Sequence, residues 1–217
     1  MIQKTKESMT GTIQNLPQTH LHGSAFEAQR RNILSLIFSD AAQPHNQHNH
    51  RTKRQTLNFG YDFVKLRLGD KQFTPIPPSL QTLCADAVRS LQRKVDHPLP
   101  PSEAFKNCII SIYKHGDKLE PHIDTDRPGL DKYGFCFGDD IIGVILEADR
   151  NGKFYIQEAP ANSRRPHFDS ARAFILPEQD GTAFLLNGEA RRSPYFHGVS
   201  PVDKRRISVT FRSVELK

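Results

Sequence analysis

The apolar positions of this chain change period part of the way along. In "SAFEAQRRNILSLIFSD" Phe26, Ile33, Leu34 and Ile37 recur at helical spacing, and Ser24 with Glu27 three residues on has the form of a capping box. The spacing predicts a first helix there, with Ser24 as N-cap. A second amphipathic helix is predicted in "FTPIPPSLQTLCADAVRSLQRKVD", where prolines open the segment and Leu80, Leu83, Ala87, Val88, Leu91 and Val95 share one face. Between them, "TLNFGYDFVKLRL" is rich in aromatic and β-branched residues, as expected of a hairpin or an aromatic-bearing flap. From Phe105 onward the pattern becomes short β-like runs divided by turn residues: "FKNCIISIYK", "DIIGVILEA", "KFYIQ", "ARAFILP", "TAFLLN" and "RRISVTFRSV". Several short strands behind a helical preamble predict a mainly β, α+β domain, a sandwich or jelly roll with helices packed outside.

Residues 1–23 are polar and aperiodic and are expected to be mobile, leaving 24–217 as one domain. The opening segment has no apolar h-region, and no run approaches the ~18 apolar residues of a membrane span. Three widely spaced cysteines without a C-x-x-C pair read as reduced core thiols rather than a disulfide scaffold. These features predict a soluble, intracellular protein, cytoplasmic or nuclear and not attached to a membrane; a monomer is expected. The net charge of +6 makes an anionic partner such as nucleic acid plausible, with basic clusters at Arg51–Arg54, Arg164–Arg165 and Arg191–Arg192 available to track phosphate. The His-rich stretch around His45, His48 and His50 reads as a solvated basic loop.

Candidate chemistry begins at "LEPHIDTD". Residues two apart on a strand share a face about 6.5–7 Å apart, so His122 and Asp124 can converge on one ion. A third ligand must come from elsewhere, and His197 in "YFHGVSP" is the best-placed candidate. Two histidines and a carboxylate suit a non-haem Fe(II) site that leaves positions open for a co-substrate and O2; zinc is the competing reading. In "RRISVTFR", Ile207, Val209 and Phe211 alternate with Arg206, Ser208, Thr210 and Arg212. Two arginines on one strand face call for an anion between them, which a dicarboxylate co-substrate provides and zinc hydrolysis does not. Ser111 and Tyr113 share a face of "NCIISIYK" and could bond the same anion.

The ordered residues Ile112, Tyr113, Gly116, Leu119, His122, Asp124, Asp126, His197, Arg206 and Arg212 resemble the AlkB family of Fe(II)- and 2-oxoglutarate-dependent dioxygenases over roughly residues 53–213. The resemblance implies a double-stranded β-helix core over about 105–215, with Fe(II), 2-oxoglutarate and O2 as cofactor and co-substrates. It implies that His122, Asp124 and His197 hold the iron, that Arg206 and Tyr113 bind the distal carboxylate of 2-oxoglutarate, and that Arg212 binds the carboxylate next to the metal. Asp126 would lie near a target base, and Phe59 and Tyr61 would belong to a nucleotide-recognition flap, with Tyr133, Phe135 and Phe137 as further aromatics near the mouth. Ser111 and Ser208 stand where the repair enzymes of the family carry asparagine, which puts close kinship with the DNA-repair branch in doubt. The expected activity is hydroxylation or oxidative demethylation of a modified base in RNA or DNA. The same chemistry on a protein side chain, or a basic binding module without turnover, are the alternatives.

Overall fold

A computed structural model describes residues 16–39, 46–48, 54–61, 73–124, 135–159 and 167–216. Two antiparallel sheets face each other, with helices on the outer surface of the larger one. The larger, seven-stranded sheet contains β1 (Gln18–His20), β2 (Asn46–His48), β3 (Gln55–Gly60), β4 (Asn107–Lys114), β6 (Phe135–Glu147), β9 (Thr182–Leu186) and β11 (Arg205–Leu216), in the order β1-β9-β6-β11-β4-β3-β2. The smaller holds β5 (Leu119–His122), β7 (Phe154–Glu158), β8 (Ala173–Ile175) and β10 (Tyr195–Val199), in the order β5-β10-β7-β8. The mainly β double-stranded β-helix with flanking helices is therefore the fold.

The helices α1 (Gly23–Ile37) and α2 (Pro78–Gln92) cover the large sheet because each buries one apolar stripe. Phe26, Ile33 and Ile37 from α1 and Leu80, Leu83, Ala87 and Leu91 from α2 join Leu57, Phe59, Ile110, Val144, Val209 and Phe211 in one core. Pro78 occupies the start of α2, where its missing N–H would have no partner in any case. Val88 and Val95 pack at the border of this core, and Val95 lies beyond the end of the helix. The first helix starts two residues earlier than the capping box suggests: its N-cap is His22 rather than Ser24, no side chain caps it, and Gly23 has φ 88°. A left-handed entry of that kind favours glycine.

β6 shows why "DIIGVILEA" reads as a continuous apolar run rather than an alternating one. Ile142, Val144 and Leu146 face the helices, while Ile141 and Ile145 enter a second core with Phe154, Ile156, Phe184 and Leu186 between the sheets. A strand covered on both faces has no polar side to show. At Gly143 the backbone must stay bare, because a Cβ would overlap the Phe184 ring.

Of the segment expected to be mobile, residues 1–15 lie outside the described residues, and 16–23 are held by the rest of the fold. Leu16 and Leu21 are buried, and Gln18–His20 pair with Thr182–Phe184 of β9. Asn46–His48, within the segment read as a loop, pair with Gln55–Leu57 of β3. The expected hairpin partner of β3, His45, His50, Arg164 and Arg165 lie outside the described residues.

One carboxylate ties the turn after β6 to the approach to β11. Asp149 is 5% exposed and accepts backbone N–H bonds from Asn151, Gly152, Asp203 and Lys204 at 2.7 to 2.9 Å. Burial alone would raise its pKa, but these four donors hold it at about 2, below the ordinary 3.8. The native state thus binds fewer protons than the unfolded chain, so this stabilisation is complete above about pH 4 and lost as pH falls towards 2. Asp149→Asn is expected to cost about 1–3 kcal/mol at neutral pH. Urea unfolding of wild type and variant at pH 7 and pH 3 checks this: the gap between them should narrow in acid.

Candidate active site

The site lies between the sheets, and strand register assembles it. β5 pairs with β10 so that His122 is the cross-strand partner of His197. Their rings lie 4.4 Å apart, centroid to centroid. The pairing slips by one residue between His197 and Val199, a bulge beside the site that re-aims the strand. Asp124 follows two residues after His122, just past the end of β5. Its Oδ1 is 3.4 Å from His122 Nε2 and its Oδ2 is 3.8 Å from His197 Nε2. One donor atom from each of the three residues lies within 4.8 Å of the others.

These side chains fit a divalent metal by their own chemistry. His122 Nδ1 is 2.9 Å from the Glu120 carbonyl oxygen, which can only accept, so Nδ1 carries the proton and Nε2 is left with its lone pair facing Asp124. His197 is buried and neutral: burial, reinforced by His122 and only partly opposed by Asp124, pulls its pKa to about 3. Its Nδ1 has no hydrogen-bond partner among the described residues. Burial would push Asp124 up, yet the Arg212 guanidinium at 2.6 Å, His122 and His197 hold its carboxyl well below the usual range. A neutral His197 imidazole and an ionised Asp124 carboxylate are in the protonation states that ligation requires.

The same cavity, of ≈ 270 Å³, carries a polar wall supplied by the large sheet. β4 and β11 pair Tyr113 with Arg206, Ser111 with Ser208 and Asn107 with Arg212. Because strand side chains alternate, Arg206, Ser208, Thr210 and Arg212 line the cavity while Ile207, Val209 and Phe211 join the helix-facing core. Ile141, Phe154, Phe184, Leu186 and Val199 supply an apolar lining.

All eight residues expected to hold metal or co-substrate thus line one cavity: His122, Asp124, His197, Tyr113, Ser111, Arg206, Ser208 and Arg212. The expected substrate residues do not join them. Phe59 is 2% exposed in the helix-side core, because odd positions of β3 face away from the site, so it is not at the mouth. Tyr61 shares that parity and lines a separate groove with Phe73, ring centroids 5.2 Å apart, and Phe105. Asp126 and Tyr133 lie outside the described residues. Of the basic clusters, Arg191 is buried, donating to the Gly138 and Asp139 carbonyls, while Arg192 is exposed beside Asp139.

Two participants escaped the sequence reading. Glu178 meets Arg206 through two bonds, Nε to Oε2 at 3.0 Å and Nη2 to Oε1 at 2.7 Å, in an ion pair whose side chains are 2% and 0% exposed. Burial would lower the Arg206 pKa, but Glu178 raises it, so the arginine stays charged. Arg54, read as part of a phosphate-tracking loop, lines the cavity and donates to the Tyr113 hydroxyl at 3.0 Å.

Comparisons with known proteins give the family and the fold. The family model of the 2OG-Fe(II) oxygenase superfamily matches residues 18–212. The chain is 27% identical over 175 residues to "RNA demethylase ALKBH9B" of Arabidopsis thaliana, covering 75% of this chain and 30% of that relative, so it spans about a third of the relative's length. Among solved structures, OsALKBH1 superposes with a TM-score of 0.58 at 18% identity, covering 91% of this chain and 98% of that one. A Pseudomonas putida prolyl-4-hydroxylase superposes at 0.55 with 12% identity, covering 90% of each chain. At such identities the two superpositions establish the fold.

Proposed function

The chain belongs to the 2OG-Fe(II) oxygenase superfamily, and on that premise we propose that it is a 2-oxoglutarate-dependent dioxygenase that hydroxylates or oxidatively demethylates a modified base in nucleic acid, RNA foremost. The observation that carries the chemistry is the His122, Asp124 and His197 cluster facing the Tyr113, Ser111, Arg206 and Arg212 wall across one cavity. The substrate class rests on similarity to the Arabidopsis RNA demethylase and on the net charge of +6. Fe(II) bound by the three ligands would supply, with 2-oxoglutarate and O2, oxidation of a substrate C–H bond with release of succinate and CO2.

The residues of the chain do the rest. The Glu120 carbonyl fixes the His122 tautomer, and Arg212 keeps Asp124 ionised as a ligand. Arg212 would also bind the carboxylate next to the metal, and Tyr113 and Arg206, at the other end of the polar wall, the distal one. Phe154, Phe184 and Leu186 keep water from the reacting carbon. Where that carbon is an N-methyl group, the hydroxymethyl product releases formaldehyde and leaves the unmodified base.

The test is incubation of the purified protein with iron, 2-oxoglutarate and a panel of methylated RNA and DNA oligonucleotides and peptides. Loss of a methyl mass from an oligonucleotide with matching succinate and formaldehyde is the expected result, whereas a gain of oxygen on a peptide alone would move the activity to protein. Arg212→Ala should raise the 2-oxoglutarate concentration needed for half-maximal turnover roughly tenfold or more, since a charge-assisted bond contributes about 1.5–3 kcal/mol. Titrating 2-oxoglutarate in succinate-release assays measures it.

A further inference from the structure

The distal end of the polar wall holds one cation more than the expected set. β3 pairs with β4 so that Gln55 opposes Ile112 and Thr56 opposes Ser111; continuing that register by one residue sets Arg54 against Tyr113. On its other side Tyr113 is paired with Arg206. The two guanidinium carbons lie 6.0 Å and 5.5 Å from the Tyr113 ring centroid, so the phenol is flanked by cations from both neighbouring strands.

Those cations differ in what they have left to offer. Arg206 commits Nε and Nη2 to Glu178 and Nη1 to Ser208 Oγ at 2.9 Å. Its charge is cancelled before any ligand arrives, and an incoming carboxylate meets a neutral pair. Arg212 is likewise matched by Asp124. Arg54 is the cavity-lining arginine with no carboxylate partner among the described residues, and its buried Nε has no hydrogen-bond partner. By donating to the Tyr113 oxygen it also leaves the phenolic proton free to be given to an acceptor.

We infer that Arg54 is a binding residue for the distal carboxylate of the co-substrate, supplying the net positive charge that Glu178 removes from Arg206 and orienting the Tyr113 hydroxyl towards the same group. The inference rests on the 2-oxoglutarate reading above and gives a residue that precedes β3 a part in keto-acid selection rather than in phosphate tracking.

The experiment measures binding to the Mn(II)-loaded full chain by anaerobic calorimetry, comparing 2-oxoglutarate with 2-oxopentanoate, which has a methyl group in place of the distal carboxylate. Wild type should prefer the dicarboxylate. R54M should weaken 2-oxoglutarate binding roughly 10- to 100-fold and leave 2-oxopentanoate binding unchanged, the latter also showing that the site is still folded. Arg54→Lys should recover part of the loss. Equal weakening of both keto acids, an unchanged 2-oxoglutarate affinity, or a loss confined to oligonucleotide binding would overturn the role of Arg54. A wild type that does not distinguish the two keto acids would instead remove the co-substrate reading beneath it.

Discussion

Asp124→Ala is expected to lose metal and turnover together while the protein remains folded. Asp124 supplies the negative charge of the proposed ligand set, and it is the partner that occupies Arg212 at 2.6 Å. Without it, the two imidazoles face an uncompensated guanidinium, an arrangement that repels a cation. Removing even an outer partner of a metal ligand costs about 10–100-fold in affinity or activity, so losing the ligand itself should exceed roughly 100-fold. Anaerobic Fe(II) titration and succinate release would fall in parallel, and circular dichroism would report the retained fold. His122→Ala should behave alike. Normal conversion of 2-oxoglutarate by Asp124→Ala would refute the ligand assignment.

Glu178→Ala is expected to be the most destabilising single change at the site. It leaves Arg206, 1% exposed, as a buried charge without a counter-ion, and it takes an acceptor from the Phe154 backbone N–H at 2.9 Å. Breaking one side of a buried pair typically costs about 3–5 kcal/mol, a large fraction of a marginal folding free energy of about 5–15 kcal/mol. Chemical denaturation should show a midpoint shift of that size. The double variant Glu178→Ala with Arg206→Met removes the stranded charge and should recover most of the loss. A single variant as stable as wild type would mean that the pair is not buried in solution.

Much of the site is legible in the sequence because its logic is local. The alternation of Arg206, Ser208, Thr210 and Arg212 with Ile207, Val209 and Phe211 states which face of β11 is wet, and the spacing of His122 and Asp124 states that they can share an ion. The stripe of α2 is similarly self-declaring. What the sequence hides depends on pairing between distant strands. Glu178 reaches Arg206 across 28 residues, and no local pattern marks it. Nothing before the fold says that Gln18–His20 will find β9, since the pairing uses backbone groups that any sequence carries. The faces of Phe59 and Arg54 follow from the alternation along β3. Thr56 and Asn58 alternate with Leu57 and Phe59, so Phe59 shares the core face and Arg54 the site face. Aromatic residues near a suspected mouth invite a stacking role that their parity excludes. Ser24 shows the limit of a capping pattern: the box is present, but a left-handed Gly23 starts the helix first.

The most direct test of the whole account is the position of a single metal. Crystals grown anaerobically with Mn(II) and 2-oxoglutarate should give one anomalous peak within bonding distance of His122 Nε2, His197 and the Asp124 carboxylate, with the keto acid extending from Arg212 towards Tyr113. A peak elsewhere on the molecule, or a keto acid lying away from β4 and β11, would contradict it.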